Sequence, residues 1–478
     1  MKEIKGKLML TKYRNMSNKT VKHFINYFFS DLFVKGFLFI SLPLLSRVMA
    51  PSEYGKLSLI SSAISIIFVF LSFNIQNAIS NRYMRTQKNF GSYLFSNLSL
   101  LIPLQILMII FSPFYLGYLS KWFGLSEQDI FYVLIICSML TLFNLYTGYL
   151  VAARKSKEFS VCNVLSKLLE LLLIFVFALI LVENQYLSKV YAQLIVTGVV
   201  LLIFAPKIYS LLVIEFKYKY VRSALLFALP LIPHALTNNL LSQIDRFLIN
   251  DELGEAATGI YSFSYNLGMA IVVVIMAWNS SWQPKLFQFI NEDKKSKIKR
   301  VAYSSAIIMS YFSALAILFT EEAVFLFADK SYYQSIQIIP IVVIGNALIH
   351  IYMSYANFVF YEKKTLYISL ATSVALGVNV VLNLWLIPLL GIVGAAWATV
   401  MSYFALCLLH YLTSTFILKL NYLSIWLLLS FISTLLMVFF VYKLILLLPY
   451  ALALACKVLI AIISGYLIYL NRNRLQLG

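Results

Sequence analysis

The chain has 478 residues, of which 61% are hydrophobic and only 12% are charged, and its formal net charge is +19. Soluble globular chains are nearer half apolar and a quarter charged, and their helices need charged faces that are missing here, so the composition excludes a soluble protein. Most of the basic residues lie in short loops at alternate apolar segments. The positive charge therefore indicates membrane topology and contact with anionic lipids, not nucleic-acid binding.

Apolar runs of about 20 residues recur along the whole chain, and each is long enough to span a bilayer. We predict an all-α integral membrane protein with about 14 transmembrane helices, at 23–46, 57–80, 93–117, 130–152, 160–182, 187–206, 223–247, 257–281, 301–320, 334–360, 366–388, 392–417, 422–443 and 450–470. With the amino terminus inside, the inner loops hold most Lys and Arg, and the outer segments hold Arg47, Lys56, Lys121, Lys189, Lys330 and Lys443. The positive-inside rule thus places both termini in the cytoplasm.

The predicted helices form two similar lobes of six helices around a central cavity. The first lobe is 1–206, a cytoplasmic linker is 207–222, the second lobe is 223–417, and 418–478 adds two helices and a short tail. Arg47, Glu53 and Gly55 recur at one constant offset as Arg246, Glu252 and Gly254. A repeat of about half the chain length is typical of two-lobed transporters.

The amino-terminal segment is basic and precedes an apolar run, as a signal peptide does. The run is too long, contains Asp31 and Lys35, and lacks a small-residue cleavage site, so we expect a retained first helix. The four cysteines lie within apolar spans without CxxC spacing, which disfavours disulfides and a zinc site. No metal or other cofactor is predicted.

Ionisable residues inside the predicted spans are the first candidates for a functional site, because each costs roughly 2.5–3.5 kcal/mol at mid-depth. Asp31 and Lys35 are one turn apart on the first helix, and Lys167 and Glu170 are three residues apart on the fifth. Each pair either neutralises itself between helices or lines a central cavity that contacts an anionic substrate. Lys457 has no acidic neighbour on its own helix, so we expect it to pair with another helix or to snorkel.

Residues 229–266 combine prolines and polar groups in an otherwise apolar stretch. Pro230 and Pro233 remove backbone donors and should interrupt the helix, as in the broken helices of transporters. His234 is either a hydrogen-bonded core residue or a proton carrier. Asp245 and Arg246, with Arg47 at the equivalent place in the first lobe, are candidates for an interfacial anchor or a gate. The segment GIVGAAWATV at 391–400 predicts close helix packing through small residues, not a nucleotide loop.

Four stretches resemble bacterial oligosaccharide flippases of the Wzx type, in the multidrug/oligosaccharidyl-lipid/polysaccharide exporter superfamily. They are SLPLLSRVMAPSEYGKLSLISS (41–62), LIPHALTNNLLSQIDRFLINDELGEAATGIYSFSYN (231–266), SWQPKLF (281–287) and NVVLNLWLIPLLGIVGAAWATVMSYF (379–404). The resemblance implies translocation of an undecaprenyl-diphosphate-linked oligosaccharide to the outer leaflet of the bacterial inner membrane. That activity serves surface polysaccharide such as O-antigen, lipopolysaccharide or capsule.

The resemblance also implies a cationic cavity in which basic residues bind the diphosphate. Candidate substrate-binding residues are Lys35, Lys167 and Arg246. Candidates for ion coupling are Asp31, Glu170, Asp245 and His234, and candidates for the gate are Arg47, Pro230 and Pro233. Expected partners are the lipid-linked oligosaccharide and membrane lipids, with a polysaccharide polymerase and a chain-length regulator as further candidates.

Three other functions stay open at this point. A lipid II flippase and a cation-coupled drug exporter would share the fold, although a drug exporter should have a more acidic cavity. A membrane polysaccharide polymerase or ligase is the alternative from a different class, and it would need a larger external loop than the chain provides. We therefore expect a transporter and not an enzyme.

Overall fold

A computed structural model of the protein describes Gly36, Phe39 and Ser41–Arg472. This part of the chain contains helices and turns and no strand. Within it, residues 41–48 are helical and are followed by 17 α-helices. They are α1 Pro51–Ser72, α2 Ile75–Arg85, α3 Phe90–Ile110, α4 Leu116–Phe123, α5 Glu127–Ala152, α6 Ser156–Ile180, α7 Leu187–Tyr209, α8 Tyr218–Ala228, α9 Ile232–Gly268, α10 Ala270–Asn291, α11 Lys295–Leu318, α12 Thr320–Phe327, α13 Ile339–Tyr361, α14 Thr365–Leu390, α15 Ile392–Leu412, α16 Trp426–Ile445 and α17 Tyr450–Leu470.

Most of the apolar spans predicted from the sequence correspond to long helices in the structure. Among the described residues, 12 helical stretches are long and apolar enough to cross a membrane. One of them, Tyr218–Asn291, is 74 residues long and covers two of the predicted spans, 223–247 and 257–281. The first predicted span, 23–46, lies largely outside the described residues. The prediction of an all-α, multi-pass membrane protein is confirmed.

Local sequence features set where helices begin and break. Ser126 and Asp129 form a capping box at the start of α5, each side chain meeting the other's backbone N–H. The predicted span 57–80 is instead two helices, because Phe73 and Asn74 adopt positive φ values of 46° and 57° between α1 and α2. Such backbone angles cannot continue an α-helix.

The central stretch is broken twice, as its composition suggests. α8 ends at Ala228, a single 3₁₀ turn at Leu229–Leu231 contains Pro230, and α9 starts next to Pro233. Within α9, Gly254 has φ 82° and ψ −179°, which divides the element into 232–253 and 255–268. Only glycine adopts this backbone conformation readily.

The described chain divides into two compact units. One comprises the described residues up to Ser41 together with Leu59–Leu236, and the other comprises Leu42–Ser58 together with Thr237–Arg472. The predicted lobes, 1–206 and 223–417 with a linker at 207–222, and the cavity between them stay predictions.

In the first unit, the connection after α7 is fixed to the start of α3. Ser92 Oγ donates to Glu215 Oε2 at 2.8 Å, and the Lys217 backbone N–H donates to Ser96 Oγ at 2.9 Å. A Cβ atom on Gly91 would lie 2.7 Å from the Leu211 carbonyl oxygen, so the two backbones touch. The hydrogen bond from Lys217 holds the pKa of the Glu215 carboxyl below its usual range.

In the second unit, α13 is the central helix and packs against α10, α11, α15 and α16. The segment 51–58 at the start of α1 crosses the second half of α9 at a pair of glycines. A Cβ atom on Gly55 would lie 2.0 Å from the Glu255 carbonyl oxygen, and one on Gly259 would lie 1.8 Å from that of Pro51. Beside this crossing, Ser58 donates a hydrogen bond to Ser262 at 2.7 Å. The glycines permit direct backbone contact between two membrane helices.

Candidate functional site

The first candidate site is a three-residue ionic cluster on α6 and α7. Lys167 and Glu170 face the same side of α6, and the Lys167 Nζ atom lies 2.6 Å from Glu170 Oε2. The Lys189 Nζ atom on α7 lies 2.6 Å from the other carboxylate oxygen, Oε1. The Glu170 side chain is 8% exposed and that of Lys167 is 42% exposed. The cluster carries one excess positive charge, and Lys167 presents it at the surface of the unit.

The sequence predicted the Lys167–Glu170 pair but placed Lys189 among the outer-edge cations. The missed signal is the short connection of six residues between Ile180 and Leu187. Helices joined so closely are antiparallel neighbours, and a long lysine side chain at the start of one reaches the face of the other. Glu170 is therefore shared by two ammonium groups.

The second candidate site surrounds Asp245, which is 1% exposed. Its Oδ2 atom accepts hydrogen bonds from the Tyr261 hydroxyl at 2.5 Å and the Thr399 hydroxyl at 3.0 Å. Its Oδ1 atom has no hydrogen-bond partner among the described residues. Most buried polar atoms in proteins have a hydrogen-bond partner, so an Asp245 oxygen without one in the described part of the chain is unusual.

The backbone reversal at Gly254 creates this site. Asp245 and Tyr261 are 16 residues apart, a distance of about 24 Å along a straight helix. Their side chains touch because 232–253 and 255–268 fold back on each other. Thr399 comes from the small-residue segment of α15, where Ala395 and Ala398 are fully buried. The prediction of close packing there is confirmed, because α15 packs closely against α13 and α14. The role of the Thr399 hydroxyl, next to Ala398, was not recognised from the sequence.

Arg246 is 4% exposed and is held by neutral groups. Its Nη1 atom donates to the Ser242 carbonyl oxygen at 2.8 Å and to Gln243 Oε1 at 2.7 Å. Its guanidinium carbon lies 4.9 Å from the centre of the Tyr265 ring, in cation–π geometry. These contacts orient the guanidinium group without cancelling its charge.

Arg47 contacts α12. Its Nη2 atom donates to the Leu326 carbonyl oxygen at 3.1 Å, and Ser46 Oγ donates to the Phe327 carbonyl oxygen at 2.9 Å. These are unpaired carbonyl groups at a helix carboxyl terminus, where a cation is stabilising. These contacts fix Arg47 at the carboxyl-terminal end of α12, and its role as an anchor or a gate stays a prediction.

Among the remaining predicted site residues, some are exposed, one is paired, and two lie outside the described part of the chain. His234, expected deep in the membrane span, is exposed, as are Pro230 and Pro233. Lys457 pairs with another helix, which was one of the two expectations for it. Its Nζ atom lies 2.8 Å from Glu321 Oε2 and 2.9 Å from Glu322 Oε1. Asp31 and Lys35 lie outside the described residues. Within the described part, no three His, Cys, Asp or Glu side chains are grouped to hold a metal ion.

Comparison with known proteins identifies the family. Residues 20–290 match the family described as "Polysaccharide biosynthesis protein". Lsg locus protein 1 of Haemophilus influenzae is 23% identical over 408 residues, covering 81% of this chain and 98% of that protein. An uncharacterized membrane protein of the same organism is 22% identical over 369 residues, covering 73% of this chain and 87% of that protein.

Solved structures show the same fold. The lipid II flippase MurJ, in an inward closed conformation, matches 95% of this chain and 100% of its own with a TM-score of 0.69 at 13% identity. An inward-facing multidrug resistance MATE family transporter of the MOP superfamily matches 83% of this chain and 94% of its own with a TM-score of 0.60 at 14% identity. The fold is that of membrane transporters, and the resemblance to the exporter superfamily is confirmed. The chain belongs to the polysaccharide biosynthesis protein family.

Proposed function

We propose that this protein is a flippase that moves an undecaprenyl-diphosphate-linked oligosaccharide repeat unit from the cytoplasmic to the outer leaflet by alternating access. The observation that carries the proposal is the family match over 20–290 in a chain with a transporter fold. The product would be used for surface polysaccharide such as O-antigen or capsule. The protein would lie in the bacterial inner membrane with both termini in the cytoplasm, next to a polymerase and a chain-length regulator.

Lys167 and Arg246 would bind the diphosphate, together with Lys35. The Lys167–Glu170–Lys189 cluster has an excess positive charge, and Lys167 is its most exposed member. Arg246 is ready to bind an anion, because its partners are a carbonyl oxygen, an amide and an aromatic ring. A guanidinium or ammonium group suits a doubly charged diphosphate.

Asp245 is the strongest of the candidates for ion coupling, ahead of Glu170, His234 and Asp31. Its Oδ1 atom is buried and unpaired among the described residues, while Glu170 already contacts two lysines. A carboxylate that binds a proton or cation in one conformation and releases it in another can couple an ion gradient to transport. Arg47, Pro230 and Pro233 would act at the gate. No covalent change of the substrate is part of the proposal.

Deletion of the gene in its own bacterium tests the function. We expect surface polysaccharide to fall at least about tenfold and the lipid-linked repeat unit to accumulate on the cytoplasmic side. The deletion strain then receives Lys167→Ala or Lys157→Ala at matched protein levels. Lys157 is an exposed lysine on the same helix, so it controls for loss of one positive charge. Because a charge-assisted hydrogen bond contributes about 1.5–3 kcal/mol, Lys167→Ala should reduce polymer about tenfold.

Normal polymer in the deletion strain would contradict the flippase proposal. Rescue of cells depleted of their lipid II flippase would assign the alternative lipid II activity. A change in drug susceptibility with normal polymer would favour the drug exporter. Accumulation of repeat units on the outer side, with none on the cytoplasmic side, would favour the polymerase or ligase. Equal polymer in Lys167→Ala and Lys157→Ala would remove Lys167 from the mechanism.

A further inference from the structure

The break between α1 and α2 lies inside an apolar stretch and contains neither proline nor glycine. The sequence from Phe70 to Gln76 reads FLSFNIQ, and the predicted span 57–80 runs through it as one helix. The breaks in the central stretch are permanent, because proline removes a helical hydrogen bond and only glycine adopts the Gly254 conformation readily. The residues between α1 and α2 can all be helical. Their break therefore depends on contacts made by side chains.

The backbone at this break is strained at Phe73. Phe73 and Asn74 have φ values of 46° and 57°, in the left-handed region. Asparagine adopts this region at small cost, but for a bulky residue such as phenylalanine it is an outlier. Strained backbone of this kind persists only where the surrounding structure enforces it, and it is concentrated at functional sites and in segments that switch conformation. In a continuous helix, Phe73 would lose this strain.

Hydrogen bonds around Asn74 hold the broken form. Its Oδ1 atom accepts from Gln76 Nε2 at 3.1 Å and from Asn77 Nδ2 at 2.7 Å. Its backbone N–H donates to Ser72 Oγ at 3.2 Å, and both residues are buried. Such local bonds from side chains compete with the backbone bonds of a helix. The break therefore exchanges helical hydrogen bonds for side-chain hydrogen bonds.

Helix α3 supplies a further contact that favours the break. Gln105 is 4% exposed, and its Nε2 atom donates to the Leu71 carbonyl oxygen at 3.0 Å. Carbonyl groups in the last turn of a helix have no partner within that helix. In a continuous helix, the Leu71 carbonyl would accept from the Ile75 backbone N–H instead. Gln105 therefore stabilises the broken form by capping the end of α1.

Helix α2 is fixed on the other side of the break. A Cβ atom on Gly148 of α5 would lie 2.6 Å from Ser80 Oγ, so the two helices are in close contact. Ile75, Ala78 and Ile79 of α2 are buried in the hydrophobic core of the first unit. A change at the break therefore turns α1 relative to α2.

We propose that the break between α1 and α2 is a conformational switch with two states. In the broken state, Gln105 caps α1 and the hydrogen bonds of Asn74 hold the turn. In the continuous state, Phe73 and Asn74 are helical, and α1 and α2 form one helix. Each state gains what the other loses, relaxed backbone or side-chain hydrogen bonds, so the two are close in free energy and both are populated. The use of the switch in transport rests on the proposed function, whereas its two states do not.

Pulsed electron paramagnetic resonance of the full-length chain in lipid nanodiscs measures the two states. Spin labels are attached at Ser61→Cys in α1 and Met84→Cys in α2, in a Cys456→Ala background in which the other cysteines are buried. Along a continuous helix these positions are about 34 Å apart, and a bend shortens the distance. We expect the wild type to show one population near this distance and one at a shorter distance.

Two variants should shift the populations in opposite directions. Gln105→Leu leaves the Leu71 carbonyl without its cap, so it should raise the ratio of long to short distances about fivefold or more. Phe73→Gly removes the strain of the broken state and should lower this ratio. Asn97→Leu is the matched control, because it removes a buried amide from the same helix as Gln105. The Asn97 Nδ2 atom donates to the Tyr93 carbonyl oxygen within α3, so its loss should leave the ratio unchanged.

A single distance in the wild type and in both variants would overturn the proposal, as would shifts of both variants in the same direction. If Gln105→Leu fails to fold, Phe73→Gly must still shift the populations toward the short distance. In the deletion strain, both variants should lower surface polysaccharide at matched protein levels, and Asn97→Leu should not. Shifted distances with undiminished polymer would exclude the switch from transport. Failure of the proposed function would leave the distances unaffected, so the two failures are distinguishable.

Discussion

Three ionisable side chains within the apolar spans, Glu170, Asp245 and Lys457, contact polar partners from a second helix. A charge in hydrocarbon is retained only when such partners offset its desolvation. The partners determine what each group can do. Lys457 is 0% exposed and paired twice, and Glu170 is shared by two lysines. One Asp245 oxygen has no hydrogen-bond partner among the described residues, and Lys167 is partly exposed. The roles of these residues in transport stay predictions.

Lys457→Met should destabilise the protein by about 3 kcal/mol or more. The change leaves Glu321 and Glu322 close together without their shared cation, and breaking a buried ion pair from one side typically costs about 3–5 kcal/mol. Thermal unfolding in detergent measures the effect. Lys443→Met, at an exposed position, is the control and should unfold near the wild-type temperature. Adding Glu321→Gln and Glu322→Gln to Lys457→Met should restore part of the loss; no recovery would show that the pairing is not the cause.

The sequence was sufficient to find these charges but not all of their partners. Lys167 and Glu170 are predictable because three residues on a helix bring side chains to one face. Glu321 and Glu322 were part of a segment interpreted as an external connection, yet they neutralise an intramembrane lysine. Tyr261 and Thr399 reach Asp245 only after a backbone reversal and a contact between distant helices. Such long-range pairings have no signature in the spacing of a single sequence.

At the scale of elements, breaks in helices bring the candidate site together. Pro230, Pro233 and Gly254 interrupt one long apolar stretch, and without the reversal at Gly254 the Tyr261 hydroxyl could not reach Asp245. The prolines were recognisable because proline removes a helical hydrogen bond. The repeat paired Gly55 with Gly254, but the glycine that Gly55 contacts is Gly259. Gly254 allows a chain reversal, whereas Gly55 allows a close approach of two backbones. The sequence shows a glycine at both positions and does not distinguish these two roles.

Gly259→Ala should destabilise the second unit by about 1–3 kcal/mol or more. The new methyl group would lie 1.8 Å from the Pro51 carbonyl oxygen, and backbone cannot move aside as a flexible side chain can. Gly377→Ala is the matched control, because nothing lies within 4 Å of a Cβ atom there. It should be neutral or stabilising by up to about 1 kcal/mol, since alanine favours helix. Unfolding temperatures in detergent compare the two; equal temperatures would mean that the crossing separates without cost.

The connection between α7 and α8 should detach from α3 at low pH. The pKa of Glu215 is lowered in the folded protein, so its contribution is present above the unfolded carboxyl pKa of about 4.3 and is lost as the pH falls through the lowered value. Hydrogen–deuterium exchange of residues 210–217, corrected for intrinsic rates, should show protection at pH 6 that falls only when the pH drops below the unfolded carboxyl pKa of about 4.3. Glu215→Gln should remove this dependence; a variant that keeps the full transition would exclude Glu215 as its cause.

For the whole molecule, the distribution of apolar and charged residues along the sequence predicts the membrane spans better than any local motif does. Apolar length defines the spans, and the span 450–470 coincides with α17. Tilt, breaks and short helices are less predictable, because they depend on packing against neighbouring helices. α4 and α12, for example, are short helices in segments that were predicted as connections between spans. The arrangement of the two predicted lobes around a cavity depends on still longer-range contacts and stays a prediction.

Membrane orientation is the last expectation, and it follows from the bias of lysine and arginine between alternate loops. With both termini in the cytoplasm, Ser331 would face outward and Lys157 inward. Single cysteines at these exposed positions, in a Cys456→Ala background, report the orientation, because Cys137, Cys162 and Cys407 are buried. A membrane-impermeant maleimide added to intact spheroplasts should label Ser331→Cys at once and Lys157→Cys only after lysis. The opposite order of labelling would invert the topology, and the proposed flippase would then have to load its substrate from the other leaflet.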